Sequence, residues 1–177
     1  QATTVQSQLS NTREQLDNIL GVNVQQYYQW EHKWGTWEWT LDIPLSIYAE
    51  YLERPRPESL SGWVDMAKDD EDDYYIDQMV QQINTAALEK SFTEGEKLNF
   101  VVAFVQNLPY TADNVTTPYD EYPRYPIETL FDRGGDCEDT SILVAALLDR
   151  LGYDVALLFL EDAQHVAVGV YLTNTYG

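Results

Sequence analysis

The chain has one cysteine and two histidines, and these are its best candidates for nucleophilic chemistry. Cys137 follows Gly134-Gly135-Asp136 and opens a run whose Ile142–Leu148 stretch is apolar nearly all round, which predicts a central, buried helix starting at Cys137. Asp136 is the expected N-cap, and the two glycines before it admit unusual backbone angles. A thiol in the first turn of a helix faces the positive end of the dipole, so a depressed thiol pKa is expected. The free amides at that terminus, that of Cys137 among them, can receive a developing oxyanion. His165 opens a predicted strand to Leu172, antiparallel to an expected buried strand Asp154–Leu160 across the turn Glu161–Gln164. A sheet packed on the helix brings the imidazole toward Cys137, and a thiol and an imidazole within hydrogen-bond reach form a nucleophile and base pair.

Other chemistries are poorly provided for. One cysteine excludes an intrachain disulfide and a multi-cysteine zinc site, and two histidines, His32 and His165, speak against a His-rich centre. No metal and no cofactor are therefore expected. The acidic run Asp69–Asp73 lacks the alternating ligands and central glycine of an EF-hand loop and reads as a solvated helix N-terminus. The tryptophans near residue 35 read as core and not as a carbohydrate platform. With 30 acidic against 10 basic residues the chain carries a formal charge of −20, which excludes a phosphate-tracking surface and argues against nucleic acid and anionic lipid as partners. The longest apolar run, Ile142–Leu148, is far too short to cross a membrane. An acidic shell and a first residue, Gln1, that is not Met are expected of a processed extracellular or membrane-anchored ectodomain.

The elements that must position the site can be read in order. Val5, Leu9, Thr12, Leu16 and Ile19 follow the spacing of an amphipathic helix within residues 1–25, lying on its own domain or making a short coiled-coil contact through residues 5–20. Trp37, Trp39, Leu41 and Ile43 alternate with polar residues as a half-buried strand, and Leu45–Glu53 reads as a helix. A further helix carries Ile76, Met79, Val80, Ile83 and Ala87 on one face. Thr93-x-x-Glu96 is a capping box that starts a helix with Leu98, Val101, Val102 and Val105 buried, stopped near Asn107 by Pro109. Residues 110–126 form a long proline- and tyrosine-rich loop, and Tyr110, Tyr122 and Tyr125 are expected to line a substrate cleft. Asp139, just past the first turn of the Cys137 helix, is a candidate to support the site.

Gly135-Asp136-Cys137-Glu138-Asp139, a leucine-rich helix ending in Leu151-Gly152-Tyr153, and His165 before an apolar strand resemble the transglutaminase-like superfamily. Phe104-Val105-Gln106 with Tyr110, and Tyr125-Pro126 before the cysteine, look like its archaeal and bacterial branch. The resemblance covers residues 94–172 well and the N-terminal half loosely. It implies an α+β, papain-like fold for residues 26–177, with Cys137 as nucleophile and His165 as base. An acid on the strand after the His165 strand would orient the imidazole, and that strand and its acid are expected beyond Gly177. Asp162 stands too close to His165 to replace it. Asp136 and the Gln106 side chain join the Cys137 amide as candidate oxyanion or supporting groups. The implied activity is thiol-dependent hydrolysis of a protein or peptide amide. The alternatives are acyl transfer to an amine, or a non-catalytic extracellular binding or scaffold module.

Overall fold

The helix expected from Cys137 is the axis of the fold: α6 (Cys137–Arg150) packs against four other helices and both strands of the C-terminal hairpin. That structure, a computed structural model, describes residues 12–13, 15–16, 18–19, 21–113, 122–163 and 165–172. Ile142, Leu143, Leu147 and Leu148 are at most 1% exposed, and burying each such side chain contributes about 1.5–3 kcal/mol. Leu151 caps the helix, and Gly152 follows at φ +89°, a left-handed angle that suits glycine.

Ahead of α6 come β1 (Asn23–His32), β2 (Gly35–Pro44), α1 (Leu45–Leu52), α2 (Leu60–Ala67), α3 (Asp73–Lys90), α4 (Glu94–Gln106) and α5 (Pro126–Asp132); β3 (Val155–Leu160) and β4 (His165–Val170) follow it. The order mixes helices with two separate antiparallel hairpins, β1–β2 and β3–β4, an α+β arrangement. Tyr28, Trp30, Trp39, Leu41 and Ile43 fill the inner face of the first hairpin. Trp30 sits edge-on to Trp39 at 4.6 Å and packs on Phe104 of α4 at 5.2 Å. The outer face is polar, with Gln25 donating to Asp42 (3.1 Å) and Gln29 to Glu38 (3.0 Å) across the strands.

The predicted strand at Thr36–Ile43, the helix from Leu45 and the Thr93 capping box are all present. Four features differ. β1 does not read as a strand in the sequence, because Gln26 lies among its inward residues and the Tyr27-Tyr28 pair blurs the alternation. It begins at Asn23, inside the segment expected to be an N-terminal helix. Residues described there are helical, but Leu16 and Ile19 are 52% and 54% exposed, so this seam is not buried on the domain; Val5 and Leu9 lie outside the described residues. The acidic run is not simply solvated: Asp69 accepts from the Tyr51 hydroxyl (2.7 Å) and Arg54 (2.8 Å), while Asp72, 1% exposed, accepts the Ile127 amide (3.2 Å) at the start of α5. Finally, β3 is not a buried strand, because Leu158, Phe159 and Leu160 are each about half exposed.

Candidate active site at the start of the central helix

In the turn before α6 the left-handed angle falls on Arg133 (φ +54°), and the two glycines serve backbone pairing instead. Gly135 donates its amide to Pro109 (3.3 Å) and accepts from the Thr111 amide (3.0 Å), which ties the segment after α4 to the segment before α6. Neither Gly134 nor Gly135 has a positive φ. Both are needed for closeness: a Cβ on Gly134 would lie 2.7 Å from the Pro109 carbonyl oxygen, and one on Gly135 would lie 2.6 Å from Asp139.

Asp136 is the N-cap, as expected, in a reciprocal box with Asp139: its amide donates to Asp139 Oδ2 (3.2 Å) and its carboxylate accepts the Asp139 amide. Cys137 is the first helical residue and is partly exposed. Its Sγ donates to Glu138 Oε2 (3.2 Å) and is approached by the Val166 amide of β4. One turn on, Ser141 Oγ donates to the Val166 carbonyl (3.1 Å). The i, i+4 pair Cys137 and Ser141 therefore takes both backbone groups of Val166, as a third strand would.

The thiol is not acidic. Burial pushes it up to about 11, the Glu138 and Asp136 carboxylates push in the same direction, and the Val166 amide opposes them only in part. The expectation of a depressed thiol thus fails first because burial disfavours the thiolate, and then because the carboxylates at this helix start add to the rise.

Below the thiol lies a carboxylate-rich layer. Asp113, Asp136 and Glu138 are 2%, 8% and 6% exposed, and one donor atom from each lies within 4.8 Å of the others. Asp136 is pushed up to about 8, first by burial, then by its hydrogen bond to Glu138 and by the Glu138 and Asp113 charges. Its Oδ1 is buried with no hydrogen-bond partner among the described residues. Asp139, fully buried, is pushed up to about 7 by burial against the pull of Arg124. Arg124 is the clasp of this layer: Nη1 donates to Asp113 Oδ1 (2.9 Å) and to Asp139, Nε donates to Asp132 (3.3 Å), and its own amide donates to Asp139 Oδ1 (2.7 Å). The Tyr122 amide donates to Asp113 Oδ2, so residues on both sides of 114–121 meet at one carboxylate. The oxygen donors of Asp113, Asp136 and Glu138 are the set here suited to a hard cation.

Above this layer opens a cleft of about 1010 Å³ lined by Cys137, Asp113, Asp136 and Glu138, and on its other sides by Arg54, Trp63, Tyr110, Tyr122, Phe159 and Val166, among others. Tyr110 and Tyr122, two of the three tyrosines expected at a cleft, line this one. Tyr125 does not: it is buried as the N-cap of α5, edge-on to Tyr51 at 5.1 Å. Gln106, exposed at the end of α4, is not part of the cleft lining either. Asp139 supports the helix start from beneath. His165 is the first residue of β4 and next in the chain to Val166, which meets Sγ. Its side chain is exposed, on the strand face opposite the buried Val166, and among the described residues no hydrogen bond joins it to Cys137.

Glu138, Asp113 and Arg124 do not emerge from the sequence as site residues. Glu138 carries a signal, being adjacent to the cysteine inside the motif. Asp113 and Arg124 lie in a loop without periodicity, and only the fold brings them under α6. No protein-family model matches the chain, and no curated protein matches it.

Proposed function

We propose that the chain is a thiol-dependent amide hydrolase of papain-like organisation, acting on a protein or peptide, with Cys137 as nucleophile and His165 as base. The observation that carries this reading is the position of Sγ: first residue of a buried helix, open to a cleft of about 1010 Å³, against the backbone of the strand that His165 begins. With the thiol at about 11, it rests protonated at neutral pH, so loss of its proton accompanies attack. Sγ adds to the amide carbon while its proton passes to His165, which must turn from the exposed face of β4 to receive it. The carbonyl oxygen gains negative charge facing the free amides at the start of α6. The tetrahedral adduct collapses, the C–N bond breaks, and His165 returns the proton to the leaving amine. Water then attacks the acyl-enzyme, with His165 accepting its proton. An amine in place of water gives acyl transfer.

The raised thiol favours one second reading, a non-catalytic extracellular binding module in which the acidic layer keeps Cys137 inert. A library of fluorogenic peptide amides, with mass spectrometry of the trapped chain, separates the two. An acyl group on Cys137, and loss of turnover by about 10³-fold or more in Cys137→Ser, support the enzyme. His165→Ala is expected to cost about 10²–10⁴-fold. Turnover that survives Cys137→Ser, or no adduct with any peptide, overturns it. Adding an alkylamine during turnover reads the partition between hydrolysis and transfer.

A further inference from the structure

The carboxylate layer holds more negative charge than its own cation can neutralise. Arg124 is engaged with Asp113, Asp132 and Asp139, which leaves the neighbouring carboxyls of Asp136 and Glu138 without a basic partner among the described residues. Two carboxyl groups so close must share either a proton or a cation. Three features select between these. Asp136 Oδ1 is buried with no donor reaching it among the described residues, which leaves it open to a cation. Asp113 contributes a third carboxylate, so that one donor atom from each of three acids lies within 4.8 Å of the others. That spread is about twice the 2.3–2.6 Å distance at which calcium binds oxygen. Finally, the same three residues line the cleft, which gives an ion an entry path and room for water ligands.

We propose that Asp113, Asp136 and Glu138 form a binding site for a hard divalent cation of the calcium class beside Cys137. The ion joins the segment after α4, through Asp113, to the first turn of α6, through Asp136 and Glu138. It thereby fixes the same junction that the Gly135–Thr111 backbone pair and the Arg124 clasp already hold. Oxygen donors alone, without imidazole or thiolate, favour calcium, magnesium or manganese over zinc or copper. The sequence conceals the site because Asp136 and Glu138 flank the cysteine and the third acid comes from a distant loop. The site does not depend on the amide-hydrolase reading, since an ion can bind whether or not the thiol reacts.

The test uses the full chain carrying Cys137→Ser, freed of metal by chelation, in 150 mM NaCl to suppress diffuse binding to an acidic surface. Terbium is titrated with excitation of tyrosine and tryptophan, because Trp63, Tyr110 and Tyr122 line the same cleft. Calcium and magnesium are then titrated by calorimetry and as competitors. One equivalent of sensitised terbium, displaced by calcium, with a higher melting temperature in calcium than in chelator, is expected. Asp136→Asn and Glu138→Gln keep the shape of the site and are each expected to weaken binding at least about tenfold, the usual consequence of losing a charged ligand. Asp113→Asn also disturbs the Arg124 clasp and is the less clean variant. Terbium or calcium binding unchanged in both Asp136→Asn and Glu138→Gln overturns the inference. So does loss of binding in Asp70→Asn/Glu71→Gln instead, which moves the ion to the exposed acidic run. Calcium bound in Cys137→Ser, with no acyl adduct ever formed by the native chain, keeps this site and removes the hydrolase. The reverse pair of results does the opposite.

Discussion

Two buried regions meet along α6, and they are built on opposite principles. The C-terminal half of the helix, Ile142–Leu148, packs against α2, α3 and α4 with no polar side chain of its own. The N-terminal half carries Cys137, Glu138, Asp139, Thr140 and Ser141 onto a layer of acids and arginine. Both are inaccessible to water over most of their surface. The first gains stability from every methylene it hides. The second spends some of it, because each buried carboxyl must find a donor, a cation or a proton. On the reading proposed above, function gathers in that layer beside the thiol and stability at the other end of the same helix.

The sharpest way to break this contrast is to cut into the apolar half. Leu147 is fully buried, and Leu147→Ala is expected to cost about 2–5 kcal/mol of unfolding free energy, read from urea denaturation. A cost well under that range would mean that the stability of the chain resides elsewhere. In the polar half the largest steric effect is expected at Gly135, where a Cβ would stand 2.6 Å from Asp139. Gly135→Ala is expected to destabilise by about 1–3 kcal/mol, the cost of overpacking, and to disorganise the start of α6. Gly95→Ala is the control. It is a helical position with nothing within 4 Å of the added Cβ, and there the change is expected to stabilise by about 0.5–1 kcal/mol. Equal effects at the two glycines would show that the turn is not held by close contact.

The two halves were not equally legible in the sequence. Apolar periodicity reports directly on burial, so α6, the stripe of α4 and the inward face of β2 all follow from spacing. The capping residues Thr93 and Asp136 were equally plain, because a cap is a local, chemical necessity. The carboxylate layer was illegible for the converse reason. A buried Asp and a solvated Asp are the same letter, and Asp72 in an acidic run and Asp113 in a loop without periodicity give no hint that the fold encloses them. The thiol was misjudged for the same cause. A helix start can be read from residues 134–137, but the burial that raises the thiol comes from the fold, and the neighbouring Asp136 and Glu138 only add to it.

That layer should also reveal itself by its response to pH. Burial pushes Asp72 up to about 8, aided by Asp69 and Asp73 and opposed by the Ile127 amide and Arg54. Burial pushes Glu128 up to about 7, against the Arg56 charge, the Tyr125 amide and the Tyr122 hydroxyl, with Asp132 adding to the rise. Their ordinary values are 3.8 and 4.5, so between about 4 and 8 the folded chain holds protons that the unfolded chain has released. Stability must therefore fall as pH rises through that window, fully present near pH 4 and lost by about pH 8. Urea midpoints are expected to be higher at pH 5 than at pH 8, and Asp72→Asn, which keeps an acceptor for the Ile127 amide, should flatten the slope. A midpoint that rises with pH would show these carboxyls to be stabilised as anions.

The finest distinction lies within the polar half itself, between the two side chains that meet Val166. Ser141 Oγ is buried and donates to the Val166 carbonyl at 3.1 Å, whereas Cys137 Sγ receives the amide of the same residue and also opens to the cleft. If their only task were to satisfy a strand edge, truncating either would cost the same. Ser141→Ala is expected to cost about 0.5–1.5 kcal/mol, the net worth of one hydrogen bond, because it leaves a buried carbonyl without its donor. Cys137→Ala removes only a sulfur, a weak acceptor, from the Val166 amide, so its cost should be smaller than that of Ser141→Ala. Ser141→Thr offers the same donor with one more methyl group and serves to separate the bond from packing. A larger stability loss at Cys137 than at Ser141 would make the thiol a structural bond first. The expected order leaves it free for chemistry, with Ser141 bearing the load of holding β4 to the helix.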